Sequence, residues 1–166
     1  MQHLCAPWRS EYFKGRVGKE CVFCDIVNNP QNDPEKGVLF RGKYCFGVMN
    51  LFPYSPGAFM VIPYKHTANI EDLSEETWIE MSFYIRKGVK ILKEKLNAGG
   101  VNIGMNLGKA AGAGIDEHVH YHAVPRWERD TNFITTIADV RVNGVPFSPL
   151  YEQIKQGFKE INDEIN

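Results

Sequence analysis

Three histidines occupy alternate positions, His118, His120 and His122, and the run ends in Ala123 and Val124. Successive side chains of a β-strand point to opposite faces, so the run predicts a strand that carries all three imidazoles on one surface. Three such rings within about 7 Å of each other would repel when protonated, and packing alone gives no reason to group them. The pattern favours a metal cluster or a catalytic phosphate site over a structural strand edge.

The remaining composition is that of an ordinary soluble domain. The 166 residues predict one domain over 1–166, with an arm over 1–20 and an extension over 125–166. A net charge of -1 gives no reason to expect nucleic acid or an anionic membrane as partner. No apolar run reaches signal-peptide or membrane-spanning length, so we expect a cytoplasmic protein. In that reducing compartment four cysteines are expected to be thiols or metal ligands: Cys5, Cys21, Cys24 and Cys45.

The first half of the chain reads as strands followed by a helix. The segments 38–40, 44–49 and 59–62 predict short antiparallel strands, and the polar stretch 28–37 predicts a loop. Ser74 is the expected N-cap of a long helix that ends near 97–100. Residues at helical spacing predict a buried stripe: Trp78, Met81, Ile85, Leu92 and Leu96.

The second half continues with one more strand and one more helix. Alternation over 101–106 predicts a half-buried strand, and a glycine-rich loop over 108–114 connects it to the histidine run. A C-terminal helix is predicted by apolar residues that share one face: Leu150, Ile154, Phe158, Ile161 and Ile165.

The histidine run, His-x-His-x-His followed by two apolar residues, resembles the motif of the histidine triad (HIT) family. The resemblance spans about 21–124, and Pro125-Arg126-Trp127 is similar to the Fhit-like branch of dinucleoside polyphosphate hydrolases and diadenosine tetraphosphate phosphorylases. It implies an α+β fold: a five-stranded antiparallel sheet with one long helix and a C-terminal helix. It also implies a homodimer.

The same resemblance implies roles for two of the histidines. His120 would attack the α-phosphorus of a dinucleoside polyphosphate and form a nucleotidyl-histidine intermediate, and His122 would contact the phosphate and the leaving oxygen. An imidazole with a pKa of ~6.5 is largely neutral at pH 7, so His120 needs little activation. The alternatives are a nucleoside phosphoramidase, a nucleotide-binding module with little catalysis, and an interaction protein whose histidines and cysteines serve zinc alone.

Further residues are implied to hold an adenine nucleotide. Gly112 and Gly114 would let backbone N–H groups approach the phosphates, Asn50 would bind the ribose, and Asn106 would lie on the phosphate side. Both asparagines are also typical of turn caps. The implied base pocket consists of residues that are core residues by type alone: Phe23, Ile26 and Phe46.

A metal site is implied by four further positions. Cys21-x-x-Cys24 by itself also suits a redox dithiol or two thiols. The resemblance adds His66 and the first triad residue, His118, and together the four imply a structural zinc. The chain departs from the family at Ala58, where a histidine is usual, at Arg129, where a glycine is usual, and before the triad, where it has no glutamine.

Overall fold

The computed structural model describes residues 21–53, 55–128 and 146–165. The arm over 1–20 and Arg129 lie outside the described residues. The helices are α1 (Val22–Asn28), α2 (Asp33–Lys36), α3 (Glu75–Leu96) and α4 (Phe147–Ile165). The strands are β1 (Val38–Arg41), β2 (Cys45–Met49), β3 (Phe59–Pro63), β4 (Gly100–Gly104) and β5 (Tyr121–Arg126). Among these described residues, no helix is long and apolar enough to cross a membrane.

The five strands form one antiparallel sheet in the order β1-β2-β3-β5-β4, which confirms the predicted fold class. β2 pairs with β3 across the 50–57 connection, as the spacing of the strands predicted. β5 lies between β3 and β4, so that His122 pairs with Met60 on one side and with Gly104 on the other. The last histidine of the run is therefore held in the interior of the sheet.

Both faces of the sheet are covered, and alternation along β2 assigns its side chains to two cores. Cys45 and Met49 pack with residues of α3 and α4. Phe46 and Val48 point to the opposite face, where they pack with residues of α1. The short helix α1 is thus seated on the face of the sheet away from α3 and α4.

The long helix α3 begins and ends where the sequence indicated. The backbone N–H of Thr77 donates to the Ser74 hydroxyl at 3.3 Å, and Asn97 ends the helix in a left-handed conformation with φ of 51°. The prediction that Trp78 is buried was wrong, because its side chain is 39% exposed. Its indole stacks on Tyr121 of the inner strand β5, with ring centroids 6.0 Å apart.

Two glycines let the helices approach their neighbours closely. A Cβ atom on Gly88 of α3 would lie 2.2 Å from the ring of Phe59 in β3, and one on Gly157 of α4 would lie 2.8 Å from Ile91. Both distances are shorter than real Cβ contacts, so glycine at these positions is required by packing. α4 contributes four residues of the predicted apolar face to this core: Leu150, Ile154, Phe158 and Ile161.

The stretch 28–37, predicted as a loop, contains more regular structure than expected. A 3-10 turn over Pro30–Asn32 is followed by the four-residue helix α2. Each carries a proline in its first turn. N–H groups at this position have no acceptor within the helix, so the missing N–H of proline costs no hydrogen bond. Gly37 then ends α2 with φ of 71°, and β1 begins at the next residue.

Candidate active site and metal centre

The histidine run lies at the entrance to β5 and not wholly within it. The prediction of one strand through all three histidines was wrong, because the strand begins at Tyr121 and only His122 belongs to it. Before that point the backbone N–H of Val119 donates to the carbonyl oxygen of Thr67 at 2.8 Å, which attaches the run to the segment after β3. His118 and His120 therefore precede the strand, and His118 lies in a bend.

The ring of His120 has a defined tautomer. Its Nδ1 lies 2.9 Å from the carbonyl oxygen of His118. A carbonyl oxygen can only accept, so Nδ1 carries the proton and donates it, and the lone pair of the ring is on Nε2. The side chain is 6% exposed, and its ring centroid lies 4.7 Å from that of His122. A neutral imidazole with its lone pair on Nε2 can act as a nucleophile.

His122 is neutral at physiological pH. Burial lowers its pKa to about 4, and the neighbouring His120 contributes to the shift in the same direction. A neutral ring can donate one hydrogen bond to a phosphate oxygen, but it brings no positive charge. The two adjacent imidazoles can therefore lie close together without repulsion.

The four predicted metal ligands lie together. The ligand atoms of Cys21, Cys24, His66 and His118 all lie within 4.8 Å of one another. His118 Nδ1 lies 3.4 Å from Cys21 Sγ and 3.8 Å from Cys24 Sγ, while His66 Nδ1 lies 3.2 Å from Cys24 Sγ. Tetrahedral zinc with Zn–S and Zn–N bonds of roughly 2.3 and 2.0 Å needs ligand atoms roughly 3.5 Å apart. The donor set and its spacing fit zinc.

The hydrogen bond that orients His118 also suits a metal. Nε2 of His118 donates to the carbonyl oxygen of Pro63 at 3.0 Å, which leaves the lone pair of the ring on Nδ1, the atom that faces the two thiols. Burial lowers the pKa of His118, so its neutral form is favoured, as metal binding requires. Three separate segments meet here: the start of α1, the chain after β3 and the histidine run.

The predicted nucleotide-binding residues are less uniform. Asn50 caps the turn after β2, where its Oδ1 accepts from the backbone N–H of Phe52 at 2.9 Å. Asn106 is exposed just after β4. Gly112, with φ of 85°, ends a short 3-10 turn, and Gly114 is exposed beyond it. Lys109 and Asp116 approach to 3.6 Å across this loop.

The residues predicted for the base pocket lie inside the protein. Phe23, Ile26 and Phe46 are 2%, 5% and 0% exposed and belong to one apolar cluster under α1. The sequence reasoning did not single out two exposed apolar side chains nearby, Val22 of α1 and Leu51 beside Asn50, which are 41% and 44% exposed. Neighbouring residues of a helix point in different directions, so a buried Phe23 indicates that Val22 faces outward. This spacing could have identified Val22 from the sequence.

The departure at Ala58 falls on a buried position. Ala58 is 3% exposed and lies between the Asn50 turn and β3, where its N–H donates to the carbonyl oxygen of Ser55. Its small side chain is part of the packed interior.

Comparison with known proteins places the site in a family. The model of the HIT domain matches residues 31–129, which include the sheet and the histidine run. An AP-4-A phosphorylase of Mycobacterium tuberculosis is 42% identical over 152 residues, covering 86% of this chain and 76% of the relative. An asymmetrical bis(5'-nucleosyl)-tetraphosphatase of Schizosaccharomyces pombe is 31% identical over 93 residues, covering 56% of this chain and 50% of the relative.

Solved structures give the same assignment. A Zn-bound histidine triad family protein from Mycobacterium smegmatis superposes with a TM-score of 0.70 at 26% identity, covering 87% of this chain and 97% of that one. The chain therefore belongs to the HIT family.

Proposed function

We propose that this chain is an enzyme that transfers a nucleotidyl group from a dinucleoside polyphosphate, of the diadenosine polyphosphate class, through a covalent intermediate on His120. The observation that carries the proposal is the hydrogen bond from His120 Nδ1 to the carbonyl oxygen of His118, which leaves the lone pair of the ring on Nε2. The activities after which the relatives in M. tuberculosis and S. pombe are named support the substrate class.

The first step follows from that tautomer. Nε2 of His120 attacks the α-phosphorus, a P–N bond forms, and the P–O bond to the remaining nucleoside polyphosphate breaks. His122, as a neutral donor, would stabilise the negative charge that develops on the phosphate and on the leaving oxygen. The leaving polyphosphate departs as an anion and can take its proton from solvent.

The second step depends on the acceptor that attacks the intermediate. Inorganic phosphate would release a nucleoside diphosphate and water would release a nucleoside monophosphate, and either restores neutral His120. The relative in M. tuberculosis is named a phosphorylase, which supports phosphate as the acceptor.

The nucleotide would lie against the exposed residues of the adjoining loops. Asn106, Gly112 and Gly114 are exposed between β4 and the histidine run, where backbone and side-chain donors can reach phosphate oxygens. Asn50 remains the proposed ribose contact, since its amide group has donors besides the oxygen that caps the turn. The base would lie against exposed Val22, at the outer edge of the buried cluster of Phe23, Ile26 and Phe46.

Two features of the assembled protein belong to the same proposal. A structural zinc held by Cys21, Cys24, His66 and His118 is supported by their ligand geometry. Zinc there would supply folding free energy by joining three segments of chain.

A homodimer is supported by exposed apolar residues on the edge strand β4 and on α3: Ile103, Trp78 and Ile79.

The deciding experiment incubates the protein with diadenosine tetraphosphate, with and without inorganic phosphate. We expect ADP plus ATP when phosphate is present; AMP plus ATP would identify a hydrolase instead.

His120→Ala should lower turnover by several orders of magnitude and abolish the covalent adduct without unfolding the protein, because no other group replaces the nucleophile. Unchanged turnover in this variant would refute the proposal, and nucleotide binding without any adduct in the native protein would identify a binding module.

A further inference from the structure

The ring of Phe23 joins the metal centre to the proposed nucleophile. Phe23 stands between Cys21 and Cys24 in the chain, and its side chain is 2% exposed. Its ring centroid lies 5.4 Å from that of His118, edge-on at 87°, and 5.2 Å from that of His120, tilted at 56°. One side chain thus touches both a proposed zinc ligand and the ring that would attack the phosphorus.

The ring of His120 is restrained from three directions. The carbonyl oxygen of His118 fixes Nδ1, the ring of His122 packs at 4.7 Å, and the ring of Phe23 packs at 5.2 Å. The hydrogen bond alone permits the imidazole to tilt about it, since hydrogen-bond angles are broadly distributed. The aromatic contacts restrict that tilt, because aromatic rings in contact favour particular mutual orientations.

The position of Phe23 depends in turn on the metal centre. Its helix, α1, has seven residues, and a helix of this length is not stable by itself in water. Helix α1 is held against the sheet by the burial of Phe23 and Ile26 and by Arg41 of β1, whose Nη2 donates to the carbonyl oxygen of Ile26 at 2.8 Å. Ligation of Cys21 and Cys24 opposite His66 and His118 would add to these contacts, so the order of the metal centre contributes to how firmly Phe23 is held.

We infer that Phe23 is a positioning residue for His120. Its ring holds the His120 imidazole in the orientation needed to attack the phosphorus, and it makes that orientation depend on the Cys/His cluster. This inference rests on the proposed function, because it assigns a role in nucleotidyl transfer. It differs from a base-pocket role for Phe23: contact with the base would change the KM for the substrate, whereas positioning changes the rate of attack at saturating substrate.

The test compares Phe23→Leu with Phe158→Leu, both in zinc-loaded protein at one pH. Phe158 is 0% exposed and packs in the other core with Phe40 and Phe59, so it is a matched control for the loss of a buried ring. The measurements are zinc content, the imidazole ¹⁵N resonances of His120, the single-turnover rate of adduct formation with diadenosine tetraphosphate, and KM. Where Phe23→Leu fails to fold or to hold zinc, Phe23→Met keeps most of the volume and takes its place.

We expect Phe23→Leu to keep its zinc, to shift and broaden the ¹⁵N resonances of His120 because the ring can tilt about its hydrogen bond, and to form adduct about 10- to 100-fold more slowly with KM within about threefold of native. Phe158→Leu should be less stable but should keep the native resonances and the rate. Native resonances and rate in the Phe23 variant, or a raised KM with unchanged rate, would overturn the inference. If the native protein forms no adduct, the proposed function fails, yet the ¹⁵N spectra still decide whether Phe23 orients His120.

Discussion

Single residues of the histidine run have different tasks despite their regular spacing. His118 turns its Nδ1 toward the two cysteines, His120 uses its Nδ1 to bind the carbonyl oxygen of His118, and His122 enters the sheet opposite Met60. For His118 and His120 the division follows from which ring nitrogen donates to a backbone carbonyl oxygen: Nε2 of His118 donates to Pro63, and Nδ1 of His120 donates to His118. The alternating pattern predicted that the rings would be neighbours, but it could not assign a tautomer to each of them.

The low pKa of His122 predicts a pH dependence of stability. The native ring has a pKa of about 4, whereas the unfolded ring has the ordinary value near 6.5. Between these values the unfolded chain binds the proton and the native protein does not, so the free energy of unfolding decreases as the pH falls from 6.5 to 4. Above pH 6.5 the ring is neutral in both states, so this loss of stability is absent.

Denaturant unfolding at pH 7 and pH 5 measures this effect in native protein and His122→Asn. We expect the native protein to lose about 1–2 kcal/mol more than the variant between these values. The protonation of His118 and its neighbours is common to both proteins and cancels in the comparison. Equal losses would show that His122 titrates normally in the folded state.

Among the elements, α1 illustrates what the sequence could and could not reveal. The Cys-x-x-Cys spacing and the family resemblance identified a ligand set whose atoms the structure brings together.

Two other expectations were wrong because tertiary contacts decided them. Trp78 follows the helical period of α3, but it lies in the first turn, where its indole stacks on Tyr121 and stays 39% exposed. The strand expected at His118 is absent because Val119 bonds to Thr67 instead of joining a ladder.

Removing zinc should loosen the three segments that the metal centre joins. Chelation is expected to lower the free energy of unfolding by at least about 4 kcal/mol, as for a ligand present at a thousand times its Kd. The measurement is metal analysis of purified protein followed by thermal unfolding with and without chelator. Cys24→Ser should lose both the metal and the chelator effect, while Cys45→Ala, at the cysteine buried beyond the cluster, should keep both. If purified protein with all four ligand residues intact contained no stoichiometric zinc, a structural zinc would be refuted.

The contact between α3 and the sheet gives a prediction in which packing opposes helix propensity. Alanine is favoured over glycine inside a helix by about 1 kcal/mol, so Gly88→Ala would stabilise an isolated α3. In the protein its Cβ would overlap the ring of Phe59, which is 1% exposed and cannot move aside freely. We expect a net loss of about 1–3 kcal/mol in denaturant unfolding. Lys90→Ala, on the exposed side of the same helix, should change stability by under about 0.5 kcal/mol, and a stabilised Gly88→Ala would contradict this packing.

Among the described residues, β4, one of the two edge strands of the sheet, has exposed apolar side chains in it and on the neighbouring helix. Ile103, the fourth of its five residues, is 50% exposed while pairing with fully buried Ala123 of β5. Ile79 of α3 is 66% exposed. An outer strand with an exposed apolar residue is prone to pair with another chain unless it is covered, and a second copy would cover it symmetrically.

Replacing Ile103 by glutamate tests whether this surface joins two copies. A carboxylate on each side of a two-fold interface would be buried against its counterpart, so Ile103→Glu should convert the dimer to a monomer at micromolar concentration, measured by sedimentation. Gln31→Glu, which adds the same charge on the exposed turn before α2, should leave the dimer intact. Since His122 lies on β5, directly beside β4, an effect of the Ile103 variant on adduct formation would show that dimerisation also supports the active site. A native monomer, or a dimer that Ile103→Glu does not disturb, would exclude β4 as the interface.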